Sequence, residues 1–145
     1  MIKGWVNLIS SLSNYVLKIA DNPNVLNNIG LCYSKLAKDD LASEFFIKTL
    51  SFNPKSVQTY INLADVYYRN KNIVEAINLL ENGVTLMPQE IALKHYLSRF
   101  YVEDCRYDLA MDQLFEILDI DEEYLKRLVV RYAVIDLREK TVAVV

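Results

Sequence analysis

The sequence predicts an all-α fold, a short solenoid built from stacked helix–turn–helix units. Two observations lead there. Apolar residues recur at helical spacing along most of the chain, as in "NLADVYYRNKNIVEAINLLENGVTLMP" at 62–88. That stretch also restates the one before it, "NIGLCYSKLAKDDLASEFFIKTLSFNP" at 28–54. Gly30, Tyr33, Ala42 and Pro54 return as Ala64, Tyr67, Ala76 and Pro88, each 34 residues on. Self-similarity at a fixed interval of about 20–50 residues is the mark of stacked repeats.

Bulk composition sets the outer bounds. A chain of 145 residues is one domain by length. Hydrophobic residues make up 52% and charged residues 24%, as in globular proteins generally. A net charge of −3 gives no footprint for binding nucleic acid. Three glycines and three prolines exclude low-complexity organisation and any Gly-rich phosphate loop. The two cysteines, Cys32 and Cys105, form neither a CxxC pair nor a disulfide framework. A reducing compartment such as the cytoplasm is therefore the expected location.

In chain order, the first element is an N-terminal helix. Trp5, Leu8, Ile9, Leu12, Val16 and Ile19 fall at i, i+3, i+4 and i+7 spacings. Asn7, Ser10, Ser11, Ser13 and Asn14 break the run, so it is neither a signal peptide nor a spanning helix. Ser11, Tyr15 and Ile19 before Asn22-Pro23 echo Ala42, Phe46 and Leu50 before Asn53-Pro54, with a junction three residues shorter. The helix is expected to cap the stack. Two helices separated by Lys38-Asp39-Asp40 follow, then two separated by Asn70-Lys71-Asn72, then two separated by Glu103-Asp104-Cys105-Arg106. Pro54 and Pro88 stand where a helix must stop. Beyond them, Tyr124, Leu125, Leu128, Val129, Tyr132 and Ile135 form a last helical stripe, with Arg127, Arg131 and Arg138 free to face water. The chain ends in "TVAVV", whose role stays open.

This organisation resembles the tetratricopeptide repeat family, whose 34-residue unit reads W-x2-L-G-x2-Y, then A-x3-F, then P. The first copy here is Leu26-x2-Ile29-Gly30-x2-Tyr33, Ala42-x3-Phe46, Pro54. The second is Tyr60-x2-Leu63-Ala64-x2-Tyr67, Ala76-x3-Leu80, Pro88. The third is Lys94-x2-Leu97-Ser98-x2-Tyr101, Ala110-x3-Leu114, with Glu122 in place of proline. The resemblance implies a right-handed superhelical solenoid forming a single domain. Its parts are a capping helix at 1–22, repeats at 23–56, 57–90 and 91–122, and a capping helix and tail at 123–145. Helix axes approach to about 8–10 Å only where side chains are small. Gly30 with Ala42, Ala64 with Ala76, and Ser98 with Ala110 are expected to mark those crossings. The three within-repeat turns lack the family's glycine.

In this family the first helix of each repeat lines a concave groove. Carried over by resemblance, the groove would offer Asn24, Asn27, Asn28, Leu31, Ser34 and Lys35 from the first repeat. The second would add Gln58, Ile61, Asn62, Asp65, Tyr68 and Arg69, and the third Ala92, His95, Tyr96, Arg99, Val102 and Glu103. Primary amides both donate and accept, so Asn28 and Asn62, one repeat apart, suit a peptide backbone. Chaperone-binding members clamp a C-terminal carboxylate with two lysines, two asparagines and an arginine. The matching residues here are Asn27, Leu31, Asn62, Ala92 and Tyr96, and only Asn62 agrees. A clamp of that kind is not expected.

No catalytic constellation is evident. His95 is the sole histidine and has no nucleophile at matching spacing. Cys32 is expected to be a buried structural thiol and Cys105 an exposed one in a turn. Acidic runs at Asp39-Asp40 and Asp119 to Glu123 suit helix ends, not a metal loop. The expected function is a non-catalytic adaptor or scaffold that holds a peptide segment of a protein partner, with no cofactor, metal, nucleic acid or membrane insertion. The alternatives are self-association through the N-terminal helix or C-terminal tail, and service as the repeat region of a larger protein.

Overall fold

The computed structural model describes residues 11, 18 and 20–129. They hold six complete helices: α1 Pro23–Lys35, α2 Asp39–Phe52, α3 Val57–Arg69, α4 Ile73–Leu86, α5 Ile91–Glu103 and α6 Tyr107–Ile120. Residues 122–129 are helical too, and no strand occurs among the described residues. Of the N-terminal helix, residues 11, 18 and 20 are helical. Its apolar stripe, Trp5, Leu8, Ile9, Leu12, Val16 and Ile19, lies outside the described residues. So do Tyr132, Ile135, Arg131, Arg138 and the TVAVV tail.

Each helix pair packs on itself (α1 on α2, α3 on α4, α5 on α6), and α2 packs on α3 as α4 does on α5. The first helices also approach closely along the stack, α1 with α3 and α3 with α5, whereas the backbones of α2, α4 and α6 stay farther from one another. First helices close together and second helices farther apart mean that the stack bends with α1, α3 and α5 on its inner side. The molecule is an all-α tetratricopeptide-type solenoid, as the 34-residue interval predicts.

The small residues explain how the pairs close up. Gly30, Ala42, Ala64, Ala76, Ser98 and Ala110 are all buried. The neighbour that dictates Gly30 is Phe46, whose ring atoms come within 2.7 and 2.8 Å of where a Cβ would stand. At the equivalent places the side chains are Ala64 with Leu80 and Ser98 with Leu114. The one copy with a phenylalanine is thus the one copy with a glycine. Gly83 has a similar reason. A Cβ there would meet Tyr60 at 3.1 Å and Leu93 at 3.2 Å, within a core of Ile61, Ala64, Ala76, Leu80, Leu97 and Phe100.

The within-repeat turns, short of glycine in sequence, take one geometry three times. Ala37, Lys71 and Cys105 have φ of 54°, 62° and 59°, in the left-handed region. One residue on, Lys38, Asn72 and Arg106 donate their backbone N–H groups to the carbonyls of Tyr33, Tyr67 and Tyr101 at 3.0, 2.9 and 2.8 Å. This is the Schellman arrangement, normally closed by glycine. Cys105 sits exposed in its turn as expected. Cys32, expected to be buried, is exposed instead. It lies on the far side of α1 from Leu26 and Gly30, the residues of that helix that are buried.

The recurring tyrosines fill the spaces between helices. Tyr33 stacks on Phe45 at 5.5 Å. Tyr101 is buried and donates its hydroxyl to Glu81 at 2.6 Å. Burial first, and the bond and charge of Glu81 after it, push the Tyr101 hydroxyl well above its ordinary value of 10.0. The folded protein therefore favours the neutral phenol. Its contribution to stability is complete below pH 10.0 and declines above it, because the unfolded chain gives up the proton first. Denaturant titrations from pH 9 upward are expected to show falling stability, and Tyr101→Phe to make the fall shallower. Some slope remains in that variant, because burial also raises Tyr60 and Tyr67.

The ends of the stack are handled by caps. Asn22 accepts from the N–H groups of Asn24 and Val25 at 2.9 and 3.4 Å, with Pro23 in the first turn. At the third junction, where Glu122 replaces proline, Asp121 does the corresponding work and accepts from Tyr124 N–H at 3.0 Å. The next helix starts at residue 122, directly after this cap, without the turn that Pro54–Ser56 and Pro88–Glu90 supply elsewhere. It leaves the outer face of α6 open. Met111 is 47% exposed, whereas Ile77, its equivalent one repeat back, is 1% exposed. One further position departs from the family pattern. Lys94, where the earlier copies have Leu26 and Tyr60, keeps only 3% of its side chain exposed and pairs through Nζ with Glu116 on α6. Its stem packs as an apolar chain and its charge is answered at the surface.

Candidate functional site

The inner side of the stack belongs to α1, α3 and α5, and most of the sequence-predicted groove residues do lie at accessible positions there. Asn24, Asn28, Lys35, Gln58, Tyr68, Arg69, Arg99, Val102 and Glu103 are exposed. Asn27, Leu31, Ser34, Asn62, Asp65, Ala92, His95 and Tyr96 are partly so. Ile61 is a correction. It is 7% exposed and belongs to the core, so it lines no groove. Its position turns it toward the α4 and α5 side chains, and an isoleucine there is best satisfied by burial.

Side chains on this surface bond across the repeats. Asn27 Oδ1 accepts from Thr59 Oγ1 at 3.0 Å and from Asn62 Nδ2 at 3.4 Å. Asn62 Oδ1 in turn accepts from Gln58 Nε2 at 2.9 Å. Arg69 reaches back to the first repeat, donating to Ser34 Oγ of α1 at 2.8 Å and to Asp39 Oδ1 at the start of α2 at 2.6 Å. Tyr68 donates to Glu103 at 3.1 Å, and Arg99 to Asp65 at 3.4 Å. Five of these bonds, Thr59–Asn27, Asn62–Asn27, Arg69–Ser34, Tyr68–Glu103 and Arg99–Asp65, run from one first helix to the next and are 32 to 35 residues apart. They pin neighbouring first helices together. They also change the role expected for Asn62, whose amide is engaged on both atoms. Asn28 is exposed and makes no side-chain hydrogen bond among the described residues.

Aromatic groups concentrate toward α5. Tyr68 stacks on Phe100 at 5.2 Å. The Arg99 guanidinium lies 5.0 Å from the centre of the Tyr96 ring and 5.1 Å from that of Phe100. Burial pushes the Asp65 carboxyl up, and the charges of Arg99 and Arg69 pull it down against that. The Glu103 bond raises the Tyr68 hydroxyl. His95 Nδ1 pairs with the Tyr124 hydroxyl at 2.9 Å, which ties α5 to residues 122–129.

Two pockets flank that tie. One, of about 320 Å³, is walled by Val102, Leu114, Leu125, Leu128 and Val129, with Arg99 and Glu103 at its edge. The other, of about 460 Å³, adjoins Tyr96, Tyr124, Arg127 and Leu128. Sequence reasoning placed Leu125, Leu128 and Val129 in a cap, not in a site. It also missed Thr59 and Asp39 as bonding partners. For Thr59 the signal was present, a polar residue two positions short of one repeat interval from Asn27, whereas Asp39 stands 30 residues from Arg69, off that interval. Among the described residues no group of three or more His, Cys, Asp or Glu side chains is arranged to hold a metal. No helix among them is long and apolar enough to cross a membrane.

Comparison with known proteins agrees with this architecture. Residues 23–56 match the family model of the tetratricopeptide repeat. The human tetratricopeptide repeat protein 8 is 30% identical over 98 residues, covering 68% of this chain and 18% of that protein. The chain thus spans under a fifth of that relative's length. Among solved structures, MamA superposes with a TM-score of 0.63 at 19% identity, over 78% of this chain and 67% of that one. The first TPR of Spaghetti (RPAP3), solved bound to the HSP90 peptide SRMEEVD, superposes with a TM-score of 0.60 at 19% identity. That match covers 77% of this chain and 93% of the other. With three helix pairs in register, left-handed turns at one interval and these likenesses together, the chain is a tetratricopeptide repeat protein.

Proposed function

We propose that the chain is a non-catalytic protein-interaction module that holds an extended peptide segment of a partner against α1, α3 and α5. The domain reading that goes with this is repeats at 23–56, 57–90 and 91–122, with capping segments at 1–22 and 123–145. The observation that carries the proposal is the inner surface itself. Successive first helices meet there and present accessible amides, aromatic rings and arginines in a row. A peptide added along such a surface finds donors and acceptors for its backbone and flat apolar contact for its side chains. The recorded complex of the first TPR of Spaghetti with a peptide supports the mode, since the fold is shared. The partner need not be alike, since Asn27, Leu31, Ala92 and Tyr96 are not the clamp residues of chaperone-binding members.

The test compares two faces of one molecule. Asn28→Ala, Tyr68→Ala and Arg99→Ala together are expected to abolish capture of partners from native extract. Ile47→Ser with Leu86→Ser, on the exposed outer helices, is expected to leave capture intact. The reverse pattern ends the proposal. The competing reading, self-association through the N-terminal helix or the tail, concerns residues outside those described. Light scattering over a dilution series separates the two, because only self-association makes the mass depend on concentration.

A further inference from the structure

The open face of α6 is half of a contact that α4 makes in full. Tyr107, Met111, Phe115 and Leu118 stand at i, i+4, i+8 and i+11, so they form one stripe along α6. All four are exposed. One repeat back the same places hold Ile73, Ile77, Glu81 and Val84. Ile73, Ile77 and Val84 share a core with Leu93, Leu97 and Phe100 of α5, and Glu81 accepts the Tyr101 hydroxyl of that helix. Where α4 offers α5 a carboxylate, α6 offers the ring of Phe115, so a helix laid on α6 must be apolar at that point. The charge beside the stripe is one-sided. α6 carries Asp108, Asp112, Glu116 and Asp119 and no lysine or arginine. Glu116 is paired with Lys94. Asp108, Asp112 and Asp119 are exposed and make no ion pair among the described residues. Each follows a stripe residue by one position and so borders the stripe. The same places on α4 hold Val74, Asn78 and Thr85, none of them charged. Asp108 suits the first turn of its helix, but Asp119 lies in the last turn, where the helix dipole disfavours a carboxylate.

We propose that the open face of α6 receives a basic amphipathic helix of a partner protein, laid on it as α5 lies on α4, with lysines or arginines meeting Asp112 and Asp119. The proposal goes beyond the groove reading and does not rest on it, because it concerns α6 and not α1, α3 and α5. The occupant is a helix because the stack covers the same face of α4 with one. It is apolar on one side because the stripe is, and such a face binds an amphipathic helix through residues at i, i+3, i+4 and i+7. It is basic beside that side because the carboxylates bordering the stripe have no cation of their own. A second copy offering its own α6 would set carboxylates against carboxylates and is disfavoured.

The test uses the full chain and two fluorescein-labelled helical peptides of about 15 residues. Both carry leucines at i, i+3, i+4 and i+7; one has lysines beside them and the other glutamates. Fluorescence anisotropy is expected to show the lysine peptide bound at least about tenfold more tightly. Met111→Ser with Phe115→Ser, both at exposed positions, is expected to weaken it about tenfold, with helicity by circular dichroism unchanged. Asp112→Lys with Asp119→Lys is expected to turn the preference toward the glutamate peptide. Equal binding of both peptides, binding of neither, or no effect of the serine pair overturns the proposal. Asn28→Ala, Tyr68→Ala and Arg99→Ala together are expected to leave this binding unchanged. A loss in that variant would put the peptide on the inner surface, which overturns the α6 proposal and leaves the groove reading standing. Light scattering without peptide is expected to give one mass at all concentrations. A mass that rises with concentration in the parent chain but not in the serine pair would put a second copy on this face, and that too overturns the proposal.

Discussion

Gly30→Ala is expected to lower folding stability by about 1–3 kcal/mol, and Phe46→Leu in the same chain to recover most of that loss. The added methyl would sit 2.7 Å from a ring atom of Phe46. Phe46 has no exposed surface, so its ring cannot swing into water to make room. The ring must shift within a packed core, or α1 must draw away from α2. Either course loses dispersion contacts along the whole crossing. The second and third repeats indicate the remedy, since they place leucine opposite alanine or serine at the same crossing. Phe46→Leu alone leaves space beside Gly30 and is expected to cost stability too. The double variant is therefore expected to be more stable than either single variant's loss would suggest, with a coupling of about 1–2 kcal/mol. Urea unfolding of the four proteins checks this. Simple additivity would mean that the two side chains do not contend for one space.

Glycine at Ala37, Lys71 and Cys105 together is expected to raise stability by about 2 kcal/mol. Each of these residues holds a positive φ that an L side chain adopts at a cost of about 1–2 kcal/mol. Glycine removes that cost and returns part of the gain, about 0.5–1 kcal/mol, through the greater freedom of the unfolded chain. The net of about 0.5–1 kcal/mol per turn should add across the three, because the turns lie in separate repeats and share no partner. Urea midpoints of the single and triple variants measure it. A drop at all three would contradict the Schellman geometry, in which Lys38, Asn72 and Arg106 close the helix on a left-handed residue.

These two expectations show which parts of the molecule are legible from its residues. The helix pairs, their order and the buried small residues follow from apolar spacing and the 34-residue interval, because stacked units must repeat their contacts. The turns were placed, but their left-handed conformation did not show, since Ala37, Lys71 and Cys105 are not glycine and only the chain geometry reveals their positive φ. Cys32 was misplaced for a related reason. Its neighbour Tyr33 packs inward, but the next residue along a helix turns through about 100° and so faces elsewhere. Ile61 was assigned to the groove by position in the repeat, and its side chain chose the core. Asn62 was expected to await a ligand and instead bridges Gln58 and Asn27. Side-chain bonds between repeats depend on rotamers at both ends, which spacing alone does not specify. The pocket beside Val102 was invisible because it arises from the short third junction, where Asp121 starts the next helix early.

The account turns on the inner surface of the first helices as the place where a partner is held. Amide chemical-shift mapping of the labelled chain with a bound peptide tests it most directly. Perturbations are predicted along α1, α3 and α5, around Asn28, Tyr68 and Arg99, with α2 and α4 little changed. Perturbations confined to the outer helices, with those three residues silent, would contradict it.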